Sequence, residues 1–166
     1  MMKIKFLYIN LFVSFFYTAC IGQSNSSLAQ TNETIAESFM ASLNSQDISK
    51  FISLFSENCL YEEVATGRRY TGRENIAAYI RSTIDGIPDT KFTTVNVLAN
   101  DSLAVVEWIW TGTNSVGWAD MGIPATNKSL KLRGLSIMEI ENGLITRNRD
   151  YWDWNSFIKG IGADLN

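Results

Sequence analysis

The hydrophobic pattern of this chain changes period at Pro88, and that change limits the folds open to it. Upstream, apolar residues recur at helical spacing. Ile35, Phe39 and Leu43 mark an amphipathic helix over residues 32–44. Asp47 is placed to cap a second helix, whose stripe is Ile48, Phe51, Ile52 and Phe55. A short strand over 59–64 follows. Thr71 and Glu74 have the spacing of a capping box and predict a third helix to about residue 82, with Ile76, Tyr79 and Ile80 facing inward. Gly86 and Pro88 end it. Downstream the pattern alternates. It predicts strands over 91–98, 103–113, 128–140 and 144–152, with Asn100-Asp101 and Asn142-Gly143 as turns. Residues 154–161 read as a short closing helix. Helices first and an antiparallel meander second give an α+β fold. A strongly curved antiparallel sheet over three helices encloses a cone-shaped cavity, the usual place for a ligand. Five Trp among 166 residues suit an aromatic-lined interior.

Ahead of this domain the chain reads as an export signal. Lys3 and Lys5 precede an apolar run, Phe6 to Ala19, that is short for a membrane span. The run ends in Tyr17-Thr18-Ala19-Cys20, which resembles a bacterial lipobox with Tyr where a Leu-like residue is usual. The expectation is a signal peptide over 1–19, lipidation at Cys20, a polar linker over 20–31 and the domain over 32–166. That places the protein outside the cytoplasm, held to a bacterial membrane by lipid alone. Cys59 is then unpaired and, in its apolar context, is expected in the core.

Composition removes several chemistries. The chain has no His, so a Ser-His-acid triad is excluded. The lack of His and of a Cys cluster makes a transition-metal site improbable, and no Gly-rich phosphate loop is present. A net charge of −3 without a Lys/Arg stripe gives no basis for nucleic-acid binding. The expected site therefore holds no metal.

Acids remain. In Tyr61-Glu62-Glu63-Val64, alternation puts Glu62 and Glu63 on opposite faces of a strand. Tyr61, Glu63 and Ala65 form one set, and Leu60, Glu62 and Val64 the other; parity alone does not say which faces inward. On the last strand Asn148, Asp150 and Trp152 share a face, opposite Arg149, Tyr151 and Asp153. Asp153 is placed to cap the closing helix. Glu107 is expected to be exposed, and Trp108 and Trp110 to be core or dimer interface. The competing expectation for Glu63 is an ion pair with Arg68, Arg69 or Arg73, and for Asp150 one with Arg147 or Arg149.

Four stretches carry a family resemblance: YEEVATGRRYTGRENIAAYI, VVEWIWTGT, MGIPATNKSLKLRGLSIMEIENGLI and RDYWDWNSFIKGIG. Together the chain resembles the SnoaL-like polyketide cyclases of the nuclear-transport-factor-2-like superfamily. The resemblance implies a cone-shaped fold of three N-terminal helices on a curved sheet, often dimeric through that sheet. It also implies cofactor-free acid/base chemistry in those members that are enzymes. In similar ketosteroid isomerases the second acid of a comparable pair is the base, which matches Glu63. Their two oxyanion donors match Phe39, which lacks a hydroxyl, and Ser136, a weaker donor. Losing one such donor costs about 10²–10³ in rate, which argues against that isomerase activity. In SnoaL-type cyclases the acid lies on the last strand, matching Asp150. Asn148 is then placed to hydrogen-bond a carbonyl oxygen and Trp152 to stack on a flat substrate. Tyr61, Trp118 and Ser136 complete the expected binding surface, and residues 121–126 form a loop over the mouth. Epoxide hydrolases of the superfamily use an Arg-x-Asp pair; here Arg133 is followed by Gly134 and Leu135, so that pair is missing. Two functions follow: a cyclase or isomerase acting on a small carbonyl compound, or a lipid-anchored module that binds a small apolar or polyketide-like ligand without turnover.

Overall fold

A computed structural model describes residues 26–163. The signal peptide, Cys20 and the first part of the polar linker lie outside the described residues. In chain order the elements are α1 (Ser27–Asn44), α2 (Ile48–Ser53), β1 (Phe55–Glu63), β2 (Arg68–Thr71), α3 (Arg73–Gly86), β3 (Lys91–Ala99) and β4 (Leu103–Thr113). Then follow β5 (Gly117–Trp118), a 3-10 turn (Ala119–Met121), β6 (Ile123–Pro124), β7 (Ser129–Glu141), β8 (Leu144–Trp152) and α4 (Trp154–Ile161).

Three local expectations differ from the structure, each for a physical reason. α1 starts at Ser27, inside the stretch read as linker, because Ser26 Oγ accepts from Ala29 N at 3.0 Å and so caps it. Asn32, read as the start of that helix, is instead buried within it and donates to Asn100 O at 2.8 Å. The third helix begins at Arg73 after Gly72, with no side-chain cap. Thr71 lies in β2, paired to Leu60, so its capping-box role is lost. Phe55 leaves the α2 stripe and opens β1.

The main sheet has the order β2-β1-β8-β7-β4-β3. The meander from β3 to β8 is antiparallel, as its turns require. β1 joins parallel to β8, with Glu63 beside Asp150 and Tyr61 beside Asn148. This long-range pairing turns a meander into a mixed, mostly antiparallel sheet and places two acids side by side. α1 packs on β3 and β4, α3 on β1 and β2, and α4 on β7.

The closed end of the cone is aromatic. Phe39, Phe51 and Phe55 are fully buried, with ring centroids 4.9 Å and 5.2 Å apart for Phe39–Phe51 and Phe51–Phe55. Cys59 is buried among them, and burial pushes its thiol pKa up; it is core, as expected. Across the middle, Gly134 gives Trp108 its place. A Cβ there would lie 2.3 Å from the indole and 2.7 Å from Tyr151 O. The missing side chain lets Trp108 lie over β7, where its Nε1 donates to Ser136 Oγ at 2.9 Å.

Candidate active site

The strand carrying the two adjacent glutamates uses both of its faces. Both carboxylates are buried. Glu62 lies on the outer face, where Arg69 Nε meets Oε1 at 2.8 Å and Arg147 Nε donates to Oε2 at 2.6 Å. Glu139 extends the row, accepting from Arg149 Nη2 at 2.7 Å. An ion ladder thus crosses β2, β1, β8 and β7. It engages Arg69, Arg147 and Arg149, three of the arginines expected as partners for the inner acids, while Arg68 stays near Glu63. Arg73 is engaged elsewhere and donates to Phe55 O.

The inner face carries Tyr61 and Glu63. Glu63 accepts a hydrogen bond from the Tyr79 hydroxyl of α3. Asp150 accepts one from the Tyr61 hydroxyl and another from Asn148 Nδ2 at 2.7 Å. Burial raises the Glu63 carboxyl from its ordinary 4.5 to about 7, and the neighbouring Asp150 charge adds to the rise. Hydrogen bonds from Tyr79 and Trp152, and the charge of Arg68, oppose it. Burial also raises Asp150, but hydrogen bonds from Tyr61, Ser136 and Asn148 favour its charged form. Both tyrosines are pushed well above their ordinary 10 by burial and by the facing carboxylates, so they are donors.

Two spaces that share wall residues lie beside Glu63, and the smaller also meets Asp150. A cavity of about 40 Å³ is bounded by Glu63, Asp150, Tyr61, Ser136, Phe39 and Trp108. A larger one, about 170 Å³, is bounded by Glu63, Arg68 and a set of aromatic rings that includes Trp118 and Trp152. Glu63 and Trp152 belong to both. Both volumes fall below the roughly 300–1,000 Å³ of drug-sized sites, so the space suits a small molecule.

Of the residues singled out in the sequence, Glu63, Asp150, Tyr61, Ser136, Trp152 and Trp118 all line these cavities. Asn148 does not. It is fully buried, and its Nδ2 donates to Asp150 Oδ1 at 2.7 Å. Trp108 and Trp110 are core, as expected, and are cavity walls as well. Glu107 is on the outer face, 4.0 Å from Arg133. Asp153 caps α4, accepting from Ser156 N at 2.5 Å. The loop expected over the mouth is pinned: Trp118 Nε1 donates to Ser82 O at 3.0 Å, Asn114 Nδ2 donates to Pro124 O at 2.9 Å, and Met121 touches the cavity. Sequence reasoning took Tyr79 only as helix packing. Its signal was a hydroxyl on an otherwise apolar stripe, which must find a partner when buried.

The family model for the SnoaL-like domain matches residues 36–148, more than half the chain. The chain belongs to the SnoaL-like family. Glu63 lies inside the matched span, and Asp150 two residues beyond it. Solved structures show the same nuclear-transport-factor-2/ketosteroid-isomerase-like fold for this SnoaL-like domain. A protein described as a candidate SnoaL-like polyketide cyclase from Jannaschia sp. CCS1 is 16% identical, with a TM-score of 0.78, covering 86% of this chain and 99% of its own. A candidate polyketide cyclase from Xanthomonas campestris is 18% identical, with a TM-score of 0.71 and coverages of 81% and 99%. A hypothetical protein of ketosteroid-isomerase-like fold from Catenulispora acidiphila, solved with trimethylamine, is 18% identical, with a TM-score of 0.68 and coverages of 78% and 93%. At these identities the likeness is one of fold. No curated protein sequence matches the chain.

Proposed function

We propose that this SnoaL-like domain performs cofactor-free acid/base chemistry on a small carbonyl compound, as a cyclase or isomerase. One observation carries the reading. Glu63 and Asp150 are buried side by side on paired strands, and both face the cavity. Each has a tyrosine hydroxyl to orient it. A carboxyl that exchanges its proton near neutral pH is suited to take one from a carbon beside a carbonyl and return it. Glu63 is assigned that proton. Asp150, whose charged form is favoured by three donors, adds its negative charge to the burial that keeps Glu63 basic. Tyr61, Tyr79 and Asn148 orient the pair. Ser136 and Trp152 bound the reacting end of the ligand, and Trp118 closes the far wall.

A second reading, ligand binding without turnover, has its own support. The donors around the acids are engaged: Tyr61, Asn148 and Ser136 hydrogen-bond to Asp150, and Tyr79 to Glu63, while Ser136 also accepts the Trp108 indole N–H. Phe39, at the wall, adds no hydroxyl. An enolate oxygen would depend on protonated Glu63 for its hydrogen bond. Proton NMR in deuterated water separates the readings. Glu63-dependent exchange of the α-protons of small cyclic ketones, lost in Glu63→Gln and in Asp150→Asn, supports catalysis. Binding of the same ketones with no exchange supports the passive module.

Export and lipidation at Cys20 belong to the same proposal, as does a homodimer through the outer sheet face, where Val95 and Leu98 are exposed. Among the described residues no helix is long and apolar enough to cross a membrane.

A further inference from the structure

We infer that the larger cavity receives a small organic cation, an alkylated ammonium group seated among aromatic rings with the Glu63 carboxylate as its counter-charge. This rests on reading the cavity as a ligand site and not on proton transfer. The first support is the lining. Trp110, Trp118, Trp152, Trp154, Tyr70 and Tyr79 all line the larger cavity. Aromatic faces carry negative potential and attract cations, indole most strongly. The polar edges of several of these rings are already engaged. Trp110 Nε1 donates to Thr90, Trp118 Nε1 to Ser82 O and Tyr79 to Glu63. These rings therefore have little left for a neutral polar ligand beyond apolar surface.

The second support is charge. Glu63 and Asp150 place two acids at one buried spot. The nearest cations on β8, Arg147 and Arg149, are on the outer face with Glu62 and Glu139. Among the described residues Arg68, itself exposed, is the one cation on the cavity wall, and Glu63 remains difficult to ionise beside it. A positive ligand supplies what the protein does not. The groups that face Glu63 are Tyr61 on its own strand, Asp150 and Trp152 of β8, Tyr79 of α3, and Arg68 of β2. Arg68 is the only cation among these, so cation binding strengthens as pH rises and Glu63 loses its proton.

Calorimetric titration of the purified protein with choline and with 3,3-dimethylbutan-1-ol, its uncharged carbon counterpart, tests this. At pH 8 choline is expected to bind about ten-fold or more tighter than the alcohol. The preference shrinks at pH 5.5, disappears in Glu63→Gln and grows in Arg68→Gln. Trp154→Leu weakens choline more than the alcohol, which keeps the test available if Glu63→Gln does not fold. Equal affinities, a preference for the alcohol, or no choline binding at any pH would each overturn the inference. Binding of the alcohol alone would leave the cavity a ligand site and remove only its assigned charge.

Discussion

Glu63→Gln should make the protein more stable at high pH, by an amount that follows from burial. The native carboxyl is 7% exposed and moves from an ordinary 4.5 to about 7 on folding. An acid whose pKa is raised by folding contributes stability fully below its unfolded value and loses it as pH climbs through its folded value. At about 1.4 kcal/mol per pH unit, ionised Glu63 costs the fold about 3 kcal/mol above pH 7. Gln keeps an oxygen to accept from Tyr79 and carries no charge at any pH. Urea unfolding of both proteins between pH 4.5 and 8.5 should therefore give curves that coincide at the acid end. They should separate by about 3 kcal/mol at the alkaline end, a gain of roughly 6–12 °C in Tm. Asp150 titrates in both, so the difference curve reports Glu63 and its coupling to that neighbour. A constant offset across the whole range, or a less stable variant at pH 8.5, would show that Glu63 is not held in a space that resists its charge.

Three further outcomes follow from the same geometry. Asp150→Asn removes a charge that raises Glu63, so the alkaline loss of stability should move to lower pH in the same unfolding series. Arg147→Ala leaves buried Glu62 with only exposed Arg69, and a loss of about 1–3 kcal/mol is expected by urea unfolding at neutral pH. Gly134→Ala sets a methyl against the Trp108 indole; about 1–3 kcal/mol of destabilisation and a shifted Trp fluorescence spectrum are expected as the ring leaves Ser136.

What could be read before the structure was local. Leu144–Trp152 and Trp154–Ile161 match their predicted ranges because alternation, the Asn142-Gly143 turn and the Asp153 cap all act within a few residues. Opposite faces for Glu62 and Glu63 followed from strand geometry alone. The inner assignment did not, because it depends on β1 lying beside β8, where Glu63 pairs with Asp150 far along the chain. That pairing also decides the arginines: Arg147, which with Arg149 is the competing partner for Asp150 on its own strand, reaches Glu62 on the neighbouring one. Thr71 shows how a local motif yields to tertiary structure. Its capping-box spacing is intact, but the β1–β2 pairing claims its backbone. Tyr79 was visible only as a stripe residue, since nothing on α3 announces the acid it meets.

Carbon-13 NMR titration of the side-chain carboxyls tests the central claim most directly, since the proposed chemistry needs an acid inside the hollow that exchanges its proton near neutrality. The account predicts one glutamate resonance, absent from Glu63→Gln, with a midpoint near 7 that falls when Asp150 is made Asn. A Glu63 resonance with its midpoint at the ordinary 4.5 would contradict it.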